Sequence, residues 1–406
     1  MTSAALGLVL REASGRIVAA LAARFRNLDL AEDSFADACT RALEAWSHKG
    51  PPRDAAAWLY QTAYRSAVDT LRRHRTEQRF APQLQRAAIE EQSMPDEWTP
   101  IPDERLRLIF VCCHPAVAPD ARAALTLRLV CGLSTREIAR AFLLSEPTLA
   151  QRLIRAKRKI AEAGVSFEVP GPQAWPERLD AVLSTIEIAY GRAHEDAAGA
   201  GPHFNYAAEM LDITRVLAAL LPQEAETSAM AATVRFAEAR RPARVDASGT
   251  MIPLSDQDPA AWTESLIADA RRYLKRAVTV QPHAPRVLQA SIHAAWCARR
   301  SLADPPPWRD ILALYDLLLR VRDDVIVRLN RAVALAEVQG AATALAQVES
   351  LSAPDDFLPY HAVRADLLRR AGRRDEARTA YDAALALVAT SAERLWLERQ
   401  RATLPE

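Results

Sequence analysis

Thr148, Gln151, Arg152 and Arg155, followed by Lys157, Arg158 and Lys159, are the residues of this chain best suited to reversible recognition of nucleic acid. Arginine and glutamine can present paired hydrogen-bonding atoms to base edges, threonine can meet either kind of base, and clustered cations neutralise phosphates. At 100° per residue, Thr148, Gln151, Arg152, Arg155 and Lys159 gather on one side of a helix. Leu149, Leu153, Ala156 and Ile160 form a separate apolar stripe, so one face packs and the other is offered outward. Two other clusters bear on bond chemistry. Cys112-Cys113-His114, with Cys131 further on, lies in an apolar helical run, and adjacent side chains diverge too far for ordinary zinc ligation, so buried thiols are expected. His194-Glu195-Asp196 precedes a small-residue stretch and reads as an exposed helix end. With no glycine-rich phosphate loop, spaced metal-ligand set or nucleophile–base pair in the sequence, neither catalysis nor a cofactor or metal is expected.

The elements that must position the basic face lie in Leu133 to Ile160 and read as a helix-turn-helix. Ser134 with Glu137 makes a capping box for the first helix. Ser145 caps the second, with Pro147 in its first turn, where a missing N–H costs nothing. Leu143, Leu144 and Ser145 are left as the turn. In such a motif the start of the second helix reaches base edges and later basic residues meet phosphates. Thr148, Gln151 and Arg152 are therefore candidates for base contact, and Arg155, Lys157, Arg158 and Lys159 for phosphate contact.

A chain of 406 residues, half of them hydrophobic, is globular and long enough for two or three domains. The net charge of +1 excludes a generally basic coat, so nucleic-acid contact must come from local patches. Up to Pro170 there are 24 Lys and Arg against 20 Asp and Glu; beyond it, 28 against 31. Five scattered cysteines fit a reducing compartment. Without a signal-peptide pattern or a long apolar run, a soluble cytoplasmic protein is expected.

The periodicity is helical throughout, which predicts an all-α protein. The expected divisions are 1–75, a linker over 76–102, a second unit over 103–165 and a C-terminal domain over 166–406. The first contains a helix through Phe25, an acidic helix from Leu30 to Trp46, a turn at Gly50-Pro51-Pro52 and a long helix from Asp54. The linker is proline-bearing and acidic. In the C-terminal domain, segments from Val325 and from Pro359 each pair two helices about a central glycine, Gly340 and Gly372. That spacing of 32 residues suggests stacked helical hairpins of tetratricopeptide (TPR) type. A non-helical island from Val245 to Trp262 interrupts the series and reads as a loop or small hairpin.

The helix from Asp54 carries an apolar stripe of Tyr60, Tyr64, Val68 and Leu71, has Trp58 near its start, and ends in the basic run Leu71-Arg72-Arg73-His74-Arg75. Rings beside cations suit unpaired bases, although core packing is the stronger expectation for Trp58. DLAEDSFADACTRALEAW, AAAWLYQTAYRSAVDTLRRHR and the helix-turn-helix, in this order and spacing, resemble regions 2 and 4 of an extracytoplasmic-function (ECF) sigma factor of bacterial RNA polymerase. The resemblance covers about the first 165 residues, and the rest resembles the TPR-like C-terminal extension of one ECF group. It implies that Glu32, Asp33 and Asp37 dock on the β′ coiled coil of core polymerase. It implies contact with the −10 promoter element by Arg65, Arg72, Arg73 and Arg75, and reading of the −35 element by Thr148, Gln151, Arg152 and Arg155. The C-terminal domain would regulate in cis, through an intramolecular contact or a protein partner. A helix-turn-helix regulator with a TPR-like sensor, acting without polymerase, is the alternative; it leaves the acidic helix without a role.

Overall fold

The computed structural model describes residues 2–77, 104–142, 144–168, 175–196, 204–352, 354–388 and 390–404. The linker expected over 76–102 lies, beyond Glu77, outside the described residues. Among the described residues the regular structure is helical, apart from one isolated antiparallel bridge between Val245 and Met251. No described helix is long and apolar enough to cross a membrane. The chain forms two compact units, 1–192 and 193–406.

The first unit begins with α1 (Thr2–Phe25), α2 (Leu28–Lys49) and α3 (Ala55–Glu77), which contact one another pairwise. Alanines make this close packing possible: Ala31, Ala38 and Ala42 on α2 and Ala63 and Ala67 on α3 are fully buried around Ile17, Leu21 and Leu59. Between α1 and α2 the chain turns at Arg26, which takes the left-handed φ of +53°, and the Asn27 side chain accepts from the Leu30 N–H at 3.0 Å. Asp54 caps α3 by accepting from the Ala57 N–H at 2.9 Å. Trp46 is buried with its ring 5.5 Å from that of Trp58.

Next come α4 (Arg105–Cys112), α5 (Pro119–Leu129), α6 (Thr135–Ala141) and α7 (Glu146–Glu162), with α5 central to the other three. The first unit then runs on to Arg192, past the break expected at 165/166, within α8 (Trp175–Asp196). The reason is apolar burial: Leu179, Val182, Leu183 and Ile186 are covered, and Thr185 hydrogen-bonds the Cys113 thiol. Both Cys112 and Cys113 are buried, and burial pushes the Cys113 thiol up from 9.0 to about 11. His194, Glu195 and Asp196 end α8, their side chains outside the described residues.

In the second unit, α9 (Phe204–Leu220), α10 (Ala225–Arg240), α11 (Glu264–Val280), α12 (Pro285–Trp296) and α13 (Trp308–Val321) lead into α14 (Val325–Gln339), α15 (Ala341–Glu349), α16 (Leu358–Arg370), α17 (Arg374–Leu387) and α18 (Ser391–Ala402). From α9 onward these helices mostly pack on their neighbours in sequence. The two expected hairpins are α14–α15 and α16–α17, and each turns at its glycine: Gly340 has φ +94° and Gly372 φ +78°. Almost all of α10 is covered, including Arg235, Glu238 and Arg240. Each has a local partner: Arg235 donates to Asp269 at 2.6 Å and lies 4.4 Å over the Tyr273 ring, Arg241 pairs with Glu238, and Arg240 meets the His293 ring at 2.8 Å and the Cys297 thiol at 3.4 Å.

The island from Val245 is a tight turn pinned by Asp246, whose Oδ1 accepts from the N–H groups of Ser248 and Thr250 at 2.8 and 2.9 Å. Arg399 of α18 donates to Asp246 and to Ser248 at 3.0 and 2.9 Å, tying the turn to the last helix.

The Cys113 thiol generates a pH prediction. Its folded-state value is raised, so its contribution is intact below pH 9 and is lost as pH rises towards about 11, when only the unfolded chain ionises readily. Chemical denaturation should show wild type losing on the order of 2 kcal/mol more than Cys113→Ala over that interval. Equal losses would contradict the assigned burial.

Candidate functional site

The helix-turn-helix is built by α6 and α7. The Ser134 carbonyl accepts the first helical hydrogen bond, from Ile138, which puts Ser134 at the cap position; the Glu137 side chain of the expected capping box lies outside the described residues. Ser145 caps α7 by accepting from the Thr148 N–H at 3.3 Å, and its hydroxyl also meets the Thr148 hydroxyl at 2.7 Å. Leu149, Leu153, Ala156 and Ile160 are buried as a continuous stripe.

The opposite face of α7 is exposed at Thr148, Gln151, Arg155, Arg158 and Lys159, with Arg152 half-buried at its edge. Gln151 accepts from Arg155 at 3.4 Å, and Arg158 and Lys159 both reach Glu162, at 3.2 and 2.9 Å. Such exposed pairs are weak and exchange readily for phosphate. Ile154, 61% exposed, lies on the same side between Gln151 and Arg158, a residue the sequence reading passed over. An exposed isoleucine amid polar neighbours was the available signal.

Lys157 departs from the expected grouping. Its amine is turned away from the exposed face and into the protein, where it bonds to Asp29 and, at 3.1 Å, to Glu32. Helical geometry explains this: Lys157 stands 40° from Leu153 and at least 100° from every other basic residue assigned to the exposed face. The spacing Leu149, Leu153, Lys157 held that information. Burial lowers the affinity of the amine for its proton, but the Asp29 and Glu32 carboxylates outweigh it and leave Lys157 above the ordinary lysine value.

Glu32 is correspondingly engaged. With its side chain only 17% exposed, it accepts from Arg128 Nε at 3.0 Å as well as from Lys157. Arg128 also donates to the Leu133 carbonyl at 3.1 Å, at the start of the helix-turn-helix. Asp33 is exposed, and Asp37 pairs along its own helix with Arg41 at 2.9 Å. Of the three expected docking carboxylates, Glu32 is thus covered by the α5 and α7 cations while Asp33 remains on the surface.

On α3, Arg65, Arg72 and Arg73 are exposed, and Arg73 donates to the Asp69 carbonyl at 3.3 Å; the Arg75 side chain lies outside the described residues. The aromatic residues divide in favour of the apolar stripe and against base stacking by the two tyrosines. Tyr60 and Tyr64 are buried, Tyr64 with its ring 5.4 Å from Phe25, because they form the apolar stripe that seats α3 in the bundle. Only Trp58 of the three is partly exposed.

In the second unit a cavity of about 540 Å³ lies between α14, α16, α18 and the island, with Trp308, Trp396, Val333 and Leu367 among its walls. Pro253, Ser255 and Asp256 of the island close one side.

Comparison with known proteins agrees with this geometry. Residues 10–77 match sigma-70 region 2, residues 107–160 match sigma-70 region 4, and residues 178–278 match a family of unknown function (DUF6596). The chain is 37% identical over 401 residues to an uncharacterized protein of Rhizobium meliloti (strain 1021), covering 97% of this chain and 95% of that protein. No solved structure matches the chain significantly. With region 2 on α1 to α3 and region 4 on α4 to α7, in that order, the chain belongs to the sigma-70 family of transcription initiation factors and is of the ECF-like kind.

Proposed function

We propose that the chain is an ECF sigma factor that binds core RNA polymerase, directs it to promoters through −10 and −35 elements, and is regulated in cis by its C-terminal helical unit. The observation that carries this reading is the pairing of two matched sigma-70 regions with opposite surface chemistry. Region 2 offers carboxylates on α2 and arginines on α3; region 4 offers a capped helix with an exposed basic face. Asp33 and Asp37, joined by Glu32, would meet the basic β′ coiled coil. Arg65, Arg72, Arg73 and Arg75 would hold the −10 strands. Thr148, Gln151 and Arg152 would read −35 base edges with Arg155, Arg158 and Lys159 on phosphates, and Ile154 would touch a thymine methyl group.

The mechanism needs no bond-making residue. Core docking localises the factor, two DNA contacts select the promoter, and binding free energy is spent on opening the −10 segment, with steep salt dependence from the phosphate contacts. In the C-terminal unit, helical hairpins that we read as TPR-like and a cavity in the size range of small-ligand sites support a regulatory role.

Transcription in vitro with purified core polymerase on genomic fragments tests these assignments. Arg152→Ala should retain core binding and lose about tenfold to a hundredfold in −35-dependent initiation, the worth of one good base contact. Asp37→Ala should weaken core binding about fivefold, as for a charge at the edge of an interface. Core binding by neither wild type nor any variant would reject the sigma reading. A chain ending at Asp196, which keeps α8 whole, should change promoter output relative to the full chain; identical output would reject regulation in cis.

A further inference from the structure

The walls of the cavity in the second unit are set by contacts made within the protein itself. Arg370 of α16 bridges to α14 through Glu337 at 2.6 Å, and Arg369 pairs with Asp366 along α16, also at 2.6 Å. The island is fixed on the other side: Arg299 donates to the Ser255 carbonyl at 2.8 Å, and Gln257 to the Ile252 carbonyl at 3.1 Å. Trp308 stands edge-on to Trp296, with ring centroids 4.9 Å apart at 89°, so its indole is oriented before anything binds. A space of about 540 Å³ with walls held in this way is in the size range of small-molecule sites and loses little freedom on being filled.

The lining selects by charge. Three carboxylates, Asp256, Glu337 and Asp366, face two arginines, Arg369 and Arg370. Both arginines are committed, since Arg370 also lies 3.7 Å from Asp366, and one carboxylate is left over. Asp256 forms no ion pair among the described residues, and its side chain accepts only from the neighbouring Ser255 hydroxyl, at 2.9 Å. Arg299, which holds the adjacent carbonyl, acts with its charge on Asp304 instead. The half-buried Trp308 and Trp396 line the same space, and indole is the side chain whose ring face attracts cations most strongly. Val333 and Leu367 add apolar wall suited to a flat hydrocarbon body. An anion would meet Asp256 and have to draw Arg370 away from Glu337, whereas an organic cation meets an unmatched carboxylate and two indoles.

We infer that this cavity is a binding site for a small aromatic organic cation, whose rings lie against Trp308 and Trp396 and whose charged nitrogen meets Asp256. The site deepens the regulatory reading of the C-terminal unit and rests on that reading only for its purpose. A bound cation touches α13, α14, α16, α18 and the island at once, so that occupancy stabilises their mutual packing.

Isothermal titration calorimetry of the full-length protein, without DNA or polymerase, tests the site with three probes built on one ring system. Proflavine is a cation at neutral pH, acridine is uncharged, and an acridine monocarboxylate is an anion. Proflavine should bind about tenfold more tightly than acridine, and the carboxylate more weakly than either. Asp256→Asn, which removes a charge from an exposed side chain and keeps its shape, should weaken proflavine about tenfold and leave acridine unchanged. Val333→Trp, which fills the space, should remove binding of both. The site is overturned if proflavine fails to bind, if the carboxylate binds as tightly as the cation, or if Asp256→Asn leaves proflavine affinity unaltered. Full proflavine affinity in a folded Val333→Trp would overturn it as well, because the probe would then sit elsewhere. Regulation fails separately: a truncated chain with unaltered promoter output would remove it and leave the bound cation in place, while absent binding would remove the site and leave regulation through a protein partner.

Discussion

The approach of α1 to the Val130–Gly132 turn is the contact on which the first unit depends. Backbone can touch backbone there only because Gly15 and Gly132 carry no side chain, and that closeness brings the long side chains of Arg128 and Lys157 within hydrogen-bonding range of Glu32. A wider gap would leave Glu32 and Lys157 as separate, fully hydrated ions. Partial burial strengthens their attraction, and two cations on one carboxylate offset some of the cost of removing it from water. The geometry of region 2 therefore governs how much of region 4 faces solvent. The Arg26–Glu168 pair, at 3.5 Å and well exposed, adds little by comparison.

Charge is used differently in the two units. In the first, the least exposed ion pairs join elements distant in sequence, as Lys157 and Glu32 illustrate. In the second, the covered charges of α10 are matched within a few helices, by Asp269 and by neighbours such as Glu238, and serve to pay for burying a helix on nearly every side. A core rich in alanine packs against α10, and Arg235 lies over Tyr273. The island from Val245 fits the same logic, since it is held by side-chain bonds to Asp246 and closes the cavity beside Trp308 and Trp396.

Much of this was legible in the sequence for identifiable reasons. Helix starts at Ser145 and the hairpin glycines at 340 and 372 depend on local backbone chemistry, which a sequence carries directly. The all-α class followed from periodicity, and the buried stripe of α7 from its 100° spacing. What escaped depended on partners remote in the chain. Nothing near Lys157 announces Asp29, 128 residues away, although its place beside Leu153 excluded it from the outward face. Tyr60 and Tyr64 fitted both an apolar stripe and a base-stacking platform, and the packing of Phe25 on Tyr64 decides for the stripe. The continuation of the first unit into α8 was hidden because its cause, the burial of Leu179, Val182, Leu183 and Ile186, depends on segments on the far side of the whole helix-turn-helix.

A sigma factor and an ordinary duplex-binding regulator differ in what they do to the DNA strands. Permanganate, which oxidises thymines only where they are unpaired, distinguishes them on a promoter fragment carrying the recognised −10 and −35 elements. The sigma account predicts reactive thymines around the −10 element only when this protein and core polymerase are both present. Protection of fully paired DNA by the protein alone, with no thymine becoming reactive on adding core, would contradict it.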